Sequence, residues 1–349
     1  MKIEKILKAA FYTPTLNGGW GLPLLFEGPP GIGKSARIEA ASDAAGINCT
    51  TLVASIREPS DFGGLPIPQT RGSRTVVDYA PPSWALEAVA EGRMVLFLDE
   101  ITTCPPAVQA ALLRMQLNRE LGDFALPAGV RFVSACNPTD QAAGGWDLAA
   151  PLANRFGHIK WPAVDAAEWR AWLLGNNDDE GASIDPEAEE ERVMAVWDKE
   201  YAKARGLVAA FTKRKPGLLF AMPETGSPEA SKAWPSPRTW ELAGRAIAGA
   251  GIHGLDGISS DEMIAAFVGA GTATEFVAFR KNVDLPDPED VLDGKVKFKH
   301  NKKRLDRTYA VLSSCAAFVT SDKKTAKKTR DQRVKNFWGV LHEVSESAV

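Results

Sequence analysis

Eight consecutive residues, Gly28-Pro29-Pro30-Gly31-Ile32-Gly33-Lys34-Ser35, fit the spacing G-x-x-x-x-G-K-[S/T] without a mismatch. Together these residue types form a cradle for a chain of phosphates. Glycines let backbone N–H groups turn inward onto a β-phosphate, and a helix starting at the lysine aims its positive end at the same anion. Lys34 would reach the β- and γ-phosphates, and the Ser35 hydroxyl would bind Mg²⁺. The motif carries this meaning only between a strand and a helix. Residues 22–26 are an apolar run and residues 35–45 are helix-forming, so the context is the required one.

Two carboxylates, Asp99 and Glu100, end the apolar run that begins at Met94. Such a run reads as a buried parallel strand, and the carboxyl ends of such strands are where ligands of open α/β sheets gather. Asp99 would hold Mg²⁺ through its water shell, and Glu100 would orient or deprotonate the water that attacks the γ-phosphate. Asn137 follows a further strand, residues 131–136. Its amide can accept from the attacking water and donate to the γ-phosphate, which a carboxylate could not do without repulsion. Farther on, Ser236 is suited to cap a helix and Pro237 to its first position, yet Arg238 then puts a cation in the first turn, the wrong end for the helix dipole. An anion nearby would resolve that conflict.

The elements that position these groups follow from the pattern between them. After the cradle helix, Gly46 supplies a C-cap and residues 48–55 read as a second strand, which makes β-α-β. Residues 56–82 turn to Gly, Pro, Arg and Asp, and the alternating piece 74–79 reads as half of a small hairpin. A helix over 83–91 leads to the acidic strand, another over 105–117 follows, and residues 120–130 suggest a second hairpin turning at Pro127-Ala128-Gly129. A fifth strand is expected over 157–161. Beyond Pro162 the pattern is helical. Asp165 with Glu168 suggests a capping box for a helix ending near Leu174, and an acidic linker, residues 178–186, precedes a helix over 186–211. A further helix is expected to open at Ser259 with Glu262 as its box partner, and residues 284–289 read as a linker.

In this order and at these intervals, residues 28–35, 57–64, 94–100, Cys136-Asn137-Pro138 and Asn154-Arg155-Phe156 resemble the MoxR branch of the AAA+ ATPases. The resemblance covers about the first 160 residues well and the next hundred loosely. It implies an α/β fold, a five-stranded parallel sheet flanked by helices over residues 1–162, and a helical lid over 163–283. A basic, mainly helical extension, 284–349, completes the chain. It also implies ATP and Mg²⁺ as cofactors, and a homo-oligomeric ring, usually of six, with ATP between subunits. The first hairpin would be a pore-facing insertion within a helix, and Arg238 would be the lid arginine that touches the γ-phosphate. The expected work is remodelling of a protein client, beside a partner with a von Willebrand A domain. Arg155 follows the fourth strand, flanked by Leu152 and Phe156, at a sheet edge distant from its own cradle. A fixed guanidinium there suits a neighbour's γ-phosphate, so Arg155 is the expected arginine finger, with Arg114 and Arg119 as alternatives.

The bulk numbers agree with an ordinary globular protein. The chain has 349 residues, 45% hydrophobic and 24% charged, which is enough for two or three domains and a sizeable core. Its formal net charge of −3 argues against a surface coated for nucleic acid, although it says nothing about local patches. Cys49, Cys104, Cys136 and Cys315 lie far apart, so neither a disulfide framework nor a zinc site is indicated, and reduced thiols in a cytoplasm fit best. No apolar run approaches a membrane span, and the amphipathic start of the chain lacks a signal core. His158, His253, His300 and His342 have no ligand spacing. Residues 295–335 are strongly basic around an apolar helix, 305–319. This reads as a solvated face without the aromatic interleaving of single-strand binders. The alternative function, a nucleotide-gated platform on DNA, would use that segment.

Overall fold

The computed structural model describes residues 3–138, 141, 145–174, 183–283, 285–321 and 325–348. The chain divides into two compact units, residues 1–189 with 223–233, and residues 190–222 with 234–349. The expected acidic linker lies partly outside the described residues, as do Asp284 and the Glu168 side chain of the proposed capping box.

In the first unit, α1 (Ile3–Phe11) precedes β1 (Leu24–Glu27), α2 (Lys34–Ala44) and β2 (Cys49–Val53). A short α3 (Pro59–Gly63) leads to a hairpin of β3 (Leu65–Arg71) and β4 (Arg74–Ala80), then α4 (Ser83–Glu91), β5 (Arg93–Asp99) and α5 (Pro106–Asn118). Next come β6 (Glu120–Leu121), β7 (Phe124–Ala125), β8 (Gly129–Cys136), α6 (Ala150–Ala153), β9 (Gly157–Lys160) and α7 (Ala166–Leu173). Five strands pair in parallel in the order β2-β5-β8-β1-β9. The central β5 and β8 are buried along nearly their whole length, which is why both read as unbroken apolar runs. Val108, Leu112 and Met115 of α5 pack into the core with Leu96, Leu98 and Phe132 of the sheet.

The first hairpin spans both strands of the segment where one was legible, and every residue of β3 is exposed. The second hairpin turns at Gly122-Asp123 and not at Pro127-Ala128-Gly129. Gly122 takes φ +59, a left-handed conformation that glycine adopts freely and that suits a two-residue turn between Leu121 and Phe124. Residues 127–129 instead lead the chain into β8, with Val130 N–H donating to Pro127 O at 3.1 Å.

α8 (Pro186–Arg214) enters the second unit, which continues with α9 (Pro237–Ile252), α10 (Gly257–Val268), α11 (Ala270–Asn282), α12 (Pro288–Leu292), α13 (Leu305–Ser321) and α14 (Lys327–Ala348). α9 starts as its sequence predicts. Ser236 Oγ accepts from Thr239 N–H at 3.2 Å, while Ser236 N–H donates to Thr239 Oγ1 at 2.7 Å. α10 is capped three residues earlier than expected, because Asp256 and not Ser259 is the cap and accepts from Ser259 N–H at 2.8 Å. The expected linker contains α12, capped by Asp287. Phe211 anchors one core, with ring centroids of Trp240, Phe276 and Phe279 at 5.3, 5.2 and 5.6 Å. A second core joins Ala202 of α8 to Val291, Leu292, Phe298, Val311, Cys315 and Phe318. Among the described residues no helix is long and apolar enough to cross a membrane.

Candidate active site

The cradle forms where β1 stops. Gly28 N–H still donates to Cys136 O at 3.2 Å, and the chain then leaves the sheet. A Cβ at Gly28 would stand 2.6 Å from Trp161 Cβ, so this position needs glycine for close approach. Gly31 and Gly33 hold φ of +77° and +81°, which a side chain would strain. Gly33 is the N-cap of α2 and provides no side-chain acceptor, and the first turn carries no acid. The first N–H groups of α2 and the positive end of its dipole therefore remain for an external anion.

Lys34 is 8% exposed, and its ammonium donates to Gly28 O at 2.6 Å, Pro29 O at 2.9 Å and Asn137 Oδ1 at 2.9 Å. All three of its donors are thus engaged. Burial lowers its pKa, opposed chiefly by the nearby Asp99 charge. Ser35 Oγ donates to Asp99 Oδ2 at 2.8 Å, and Asp99 Oδ1 accepts from Glu100 N–H at 2.9 Å. The hydroxyl and carboxylate make an all-oxygen pair of the kind that suits Mg²⁺. Glu100 sits at φ +56, and its Oε2 accepts from Ser55 Oγ at 2.5 Å.

Lys34, Ser35, Asp99, Glu100 and Asn137 line one cavity of about 380 Å³ together with Pro30, Gly31 and Gly33. Parallel pairing explains the convergence. Val53 lies opposite Asp99, and Cys136 opposite Glu27, so the residues that follow β1, β2, β5 and β8 emerge at one edge. Pro29 contributes its carbonyl to Lys34. Ile32 reaches toward Gly28, with its Cδ1 2.9 Å from the position of a Gly28 Cβ.

Ser55 escaped the sequence reading, which ended the second strand there without assigning it a role. A hydroxyl at the carboxyl end of the strand beside the acidic one was the available signal.

Arg155 lies elsewhere, in the turn between α6 and β9. Gly157 N–H donates to Pro23 O at the start of β1, so Arg155 is at the amino edge of the sheet, opposite its own cradle. Its guanidinium donates to Pro151 O. Of the alternatives, Arg119 is engaged by the carbonyls of Trp20, Pro127, Ala128 and Val130, and Arg114 donates to Gly122 O at 3.2 Å. Both brace the second hairpin and its surroundings. Arg238 is exposed, in the first turn of α9 in the second unit.

Residues 23–156 match the family model of the AAA domain, dynein-related subfamily. A stretch of 162 residues, 44% of this chain, is 28% identical to Midasin of Giardia intestinalis, and it covers 3% of that much longer protein. A crystal structure from Cytophaga hutchinsonii ATCC 33406, described as a proposed ATPase, has a similar fold. It superposes with a TM-score of 0.52 at 17% identity, over 81% of this chain and 89% of that one. The fold is accordingly that of an AAA+ α/β domain followed by helices, and the cradle and both carboxylates lie within the matched residues 23–156.

Proposed function

We propose that this protein hydrolyses ATP as a ring-forming AAA+ ATPase of MoxR type and uses the energy to remodel, activate or assemble a protein client. The observation that carries the reading is the convergence of Lys34, Ser35, Asp99, Glu100 and Asn137 on one cavity at the carboxyl edge of the sheet. An arriving triphosphate would compete for the Lys34 ammonium with the two loop carbonyls and Asn137. Release of Asn137 would free its amide to hold the attacking water against the γ-phosphate. Glu100, turned from Ser55, would take that water's proton as its oxygen bonds to phosphorus and the bridging oxygen leaves with ADP. Ser35 and Asp99 would hold Mg²⁺, which supplies charge compensation along the β- and γ-phosphates.

The finer parts of the proposal rest on resemblance. They are a hexameric ring, Arg155 reaching the neighbour's γ-phosphate, Arg238 sensing the γ-phosphate of its own subunit, and an adaptor with a von Willebrand A domain. The test is Glu100→Gln. It should keep Mg²⁺-ATP binding and lose turnover, and as bait it should retain its client in the presence of ATP. Unchanged phosphate release by this variant would remove Glu100 from the chemistry.

A further inference from the structure

We propose that the segment after α12, residues 295–304, is a ridge that binds the phosphate backbone of a duplex nucleic acid. The proposal does not depend on the ATPase reading. Residues 295–307 hold five lysines, two arginines and one aspartate, in a chain of formal net charge −3. The charge is therefore local, and overall acidity says nothing against it.

The segment is a built surface. Phe298 is 5% exposed and packs with Val291, Leu292, Val311 and Phe318. The Arg307 guanidinium covers its ring at 5.4 Å. His300 Nδ1 is 2.9 Å from Thr308 Oγ1. With Phe298 and His300 turned inward, Lys297 and Lys299 are left exposed on either side of Phe298. Asn301 then makes a turn, its Oδ1 accepting from Lys303 N–H at 2.9 Å and its carbonyl from Arg304 N–H at 2.8 Å, which displays Lys302 and Lys303.

Neighbouring cations are already engaged. Lys295 pairs with Asp290 and Asp293, and Arg304 with Asp306 and Asn282 O. The side-chain ammonium groups of Lys297, Lys299, Lys302 and Lys303 have no hydrogen-bond or ion-pair partner among the described residues. Four uncompensated ammonium groups held on an anchored backbone repel one another until an anion meets them.

The ridge matches a closely spaced row of anions. Lysines bind phosphate oxygens as compact point charges, and a duplex backbone presents phosphates at high density along its length. Val296 and Leu305 are exposed, but no exposed aromatic stands between them, so stacking on unpaired bases has no platform. Backbone phosphates of a duplex need neither anchor.

The test is fluorescence anisotropy of the full chain, without nucleotide, on a labelled duplex of about 30 base pairs. Four phosphate contacts predict a log affinity against log salt slope of about −3.6, or roughly 10²-fold weakening from about 50 to 200 mM salt. The variant K297Q/K299Q/K302Q/K303Q should lose binding at all salts while its circular dichroism is unchanged. Should that variant fail to fold, Lys297→Gln and Lys302→Gln singly should each reduce the slope by about 1. Absence of duplex binding at the lowest salt, or unchanged binding by these variants, would overturn the proposal. Equal or tighter binding to polyglutamate or to phosphatidylserine vesicles would overturn it too, by assigning the ridge to an acidic protein or a lipid surface.

Discussion

At the carboxyl edge of the five-stranded sheet, Lys34 is held by two loop carbonyls and an amide beside a cavity of about 380 Å³. At the amino edge of the same sheet, Arg131 is fully buried and donates to Phe11 O at 3.0 Å and Gly129 O at 2.6 Å, over the rings of Tyr12 and Trp20. Arg119 beside it donates to four carbonyls, and burial together with the Arg131 charge pulls its pKa down to about 10. Both edges bury cations against neutral oxygens. What separates them is exchange: the Lys34 acceptors can be replaced by a phosphate entering the cavity, while the arginine acceptors are the backbone that the arginines hold in place.

Four substitutions test this difference between the two edges. Arg155 stands at the amino edge but is read as acting on a neighbour, so Arg155→Ala should lower ATP turnover by ~10³ to 10⁵ and leave unfolding free energy nearly unchanged. Mixing it with Glu100→Gln subunits should restore part of the activity at intermediate ratios. If Arg155→Ala instead unfolds more readily and turns over normally, Arg155 belongs with Arg119 and Arg131 as a clamp. Lys34→Ala should weaken ATP binding by ~10² to 10³, as charge-assisted bonds to phosphate are lost, with a stability change under about 1 kcal/mol. Calorimetry and urea unfolding on the same sample read both quantities.

Arg131→Met should do the reverse. It strands buried carbonyls and removes a packed side chain, for a loss of about 3 kcal/mol in urea unfolding, with ATP affinity within twofold of the parent. A large affinity loss would show that the two edges are coupled. The smallest effect concerns His158, whose Nε2 bonds Ala153 O at 2.9 Å beneath the Arg155 turn and whose pKa burial lowers. A depressed folded-state pKa means that the unfolded chain binds the proton better. The stability this residue contributes is thus complete above about pH 6.5 and declines as pH falls toward the folded value, by at most ~1.4 kcal/mol per pH unit. His158→Gln should flatten that part of the stability profile.

The carboxyl edge was legible because its chemistry is local in sequence. Cradle, acidic strand end and Asn137 each announce themselves by residue type, and parallel pairing brings strand ends together without further information. The amino edge was not legible, because a lone arginine such as Arg131 reads as surface charge until the carbonyls around it are seen. Similarly, the Ser55 hydroxyl points to Glu100 only once β2 is seen to pair with β5. The turn at Gly122 was missed because Pro127-Ala128-Gly129 is the stronger local punctuation, and Asp256 because Ser259 with Glu262 fits the capping pattern equally well. α11 announces itself weakly because Gly269, its N-cap, offers no side-chain acceptor.

The left-handed backbone at Glu100 has a consequence for how this sequence would drift. A residue with a Cβ at φ +56 carries strain on the order of 1 kcal/mol, which glycine would not feel and asparagine would feel less. Selection for heat resistance alone would therefore favour replacing the carboxylate proposed to take the attacking water's proton. Lineages of this protein kept in culture without demand for its activity should lose Glu100 early, and retain Arg131 long after.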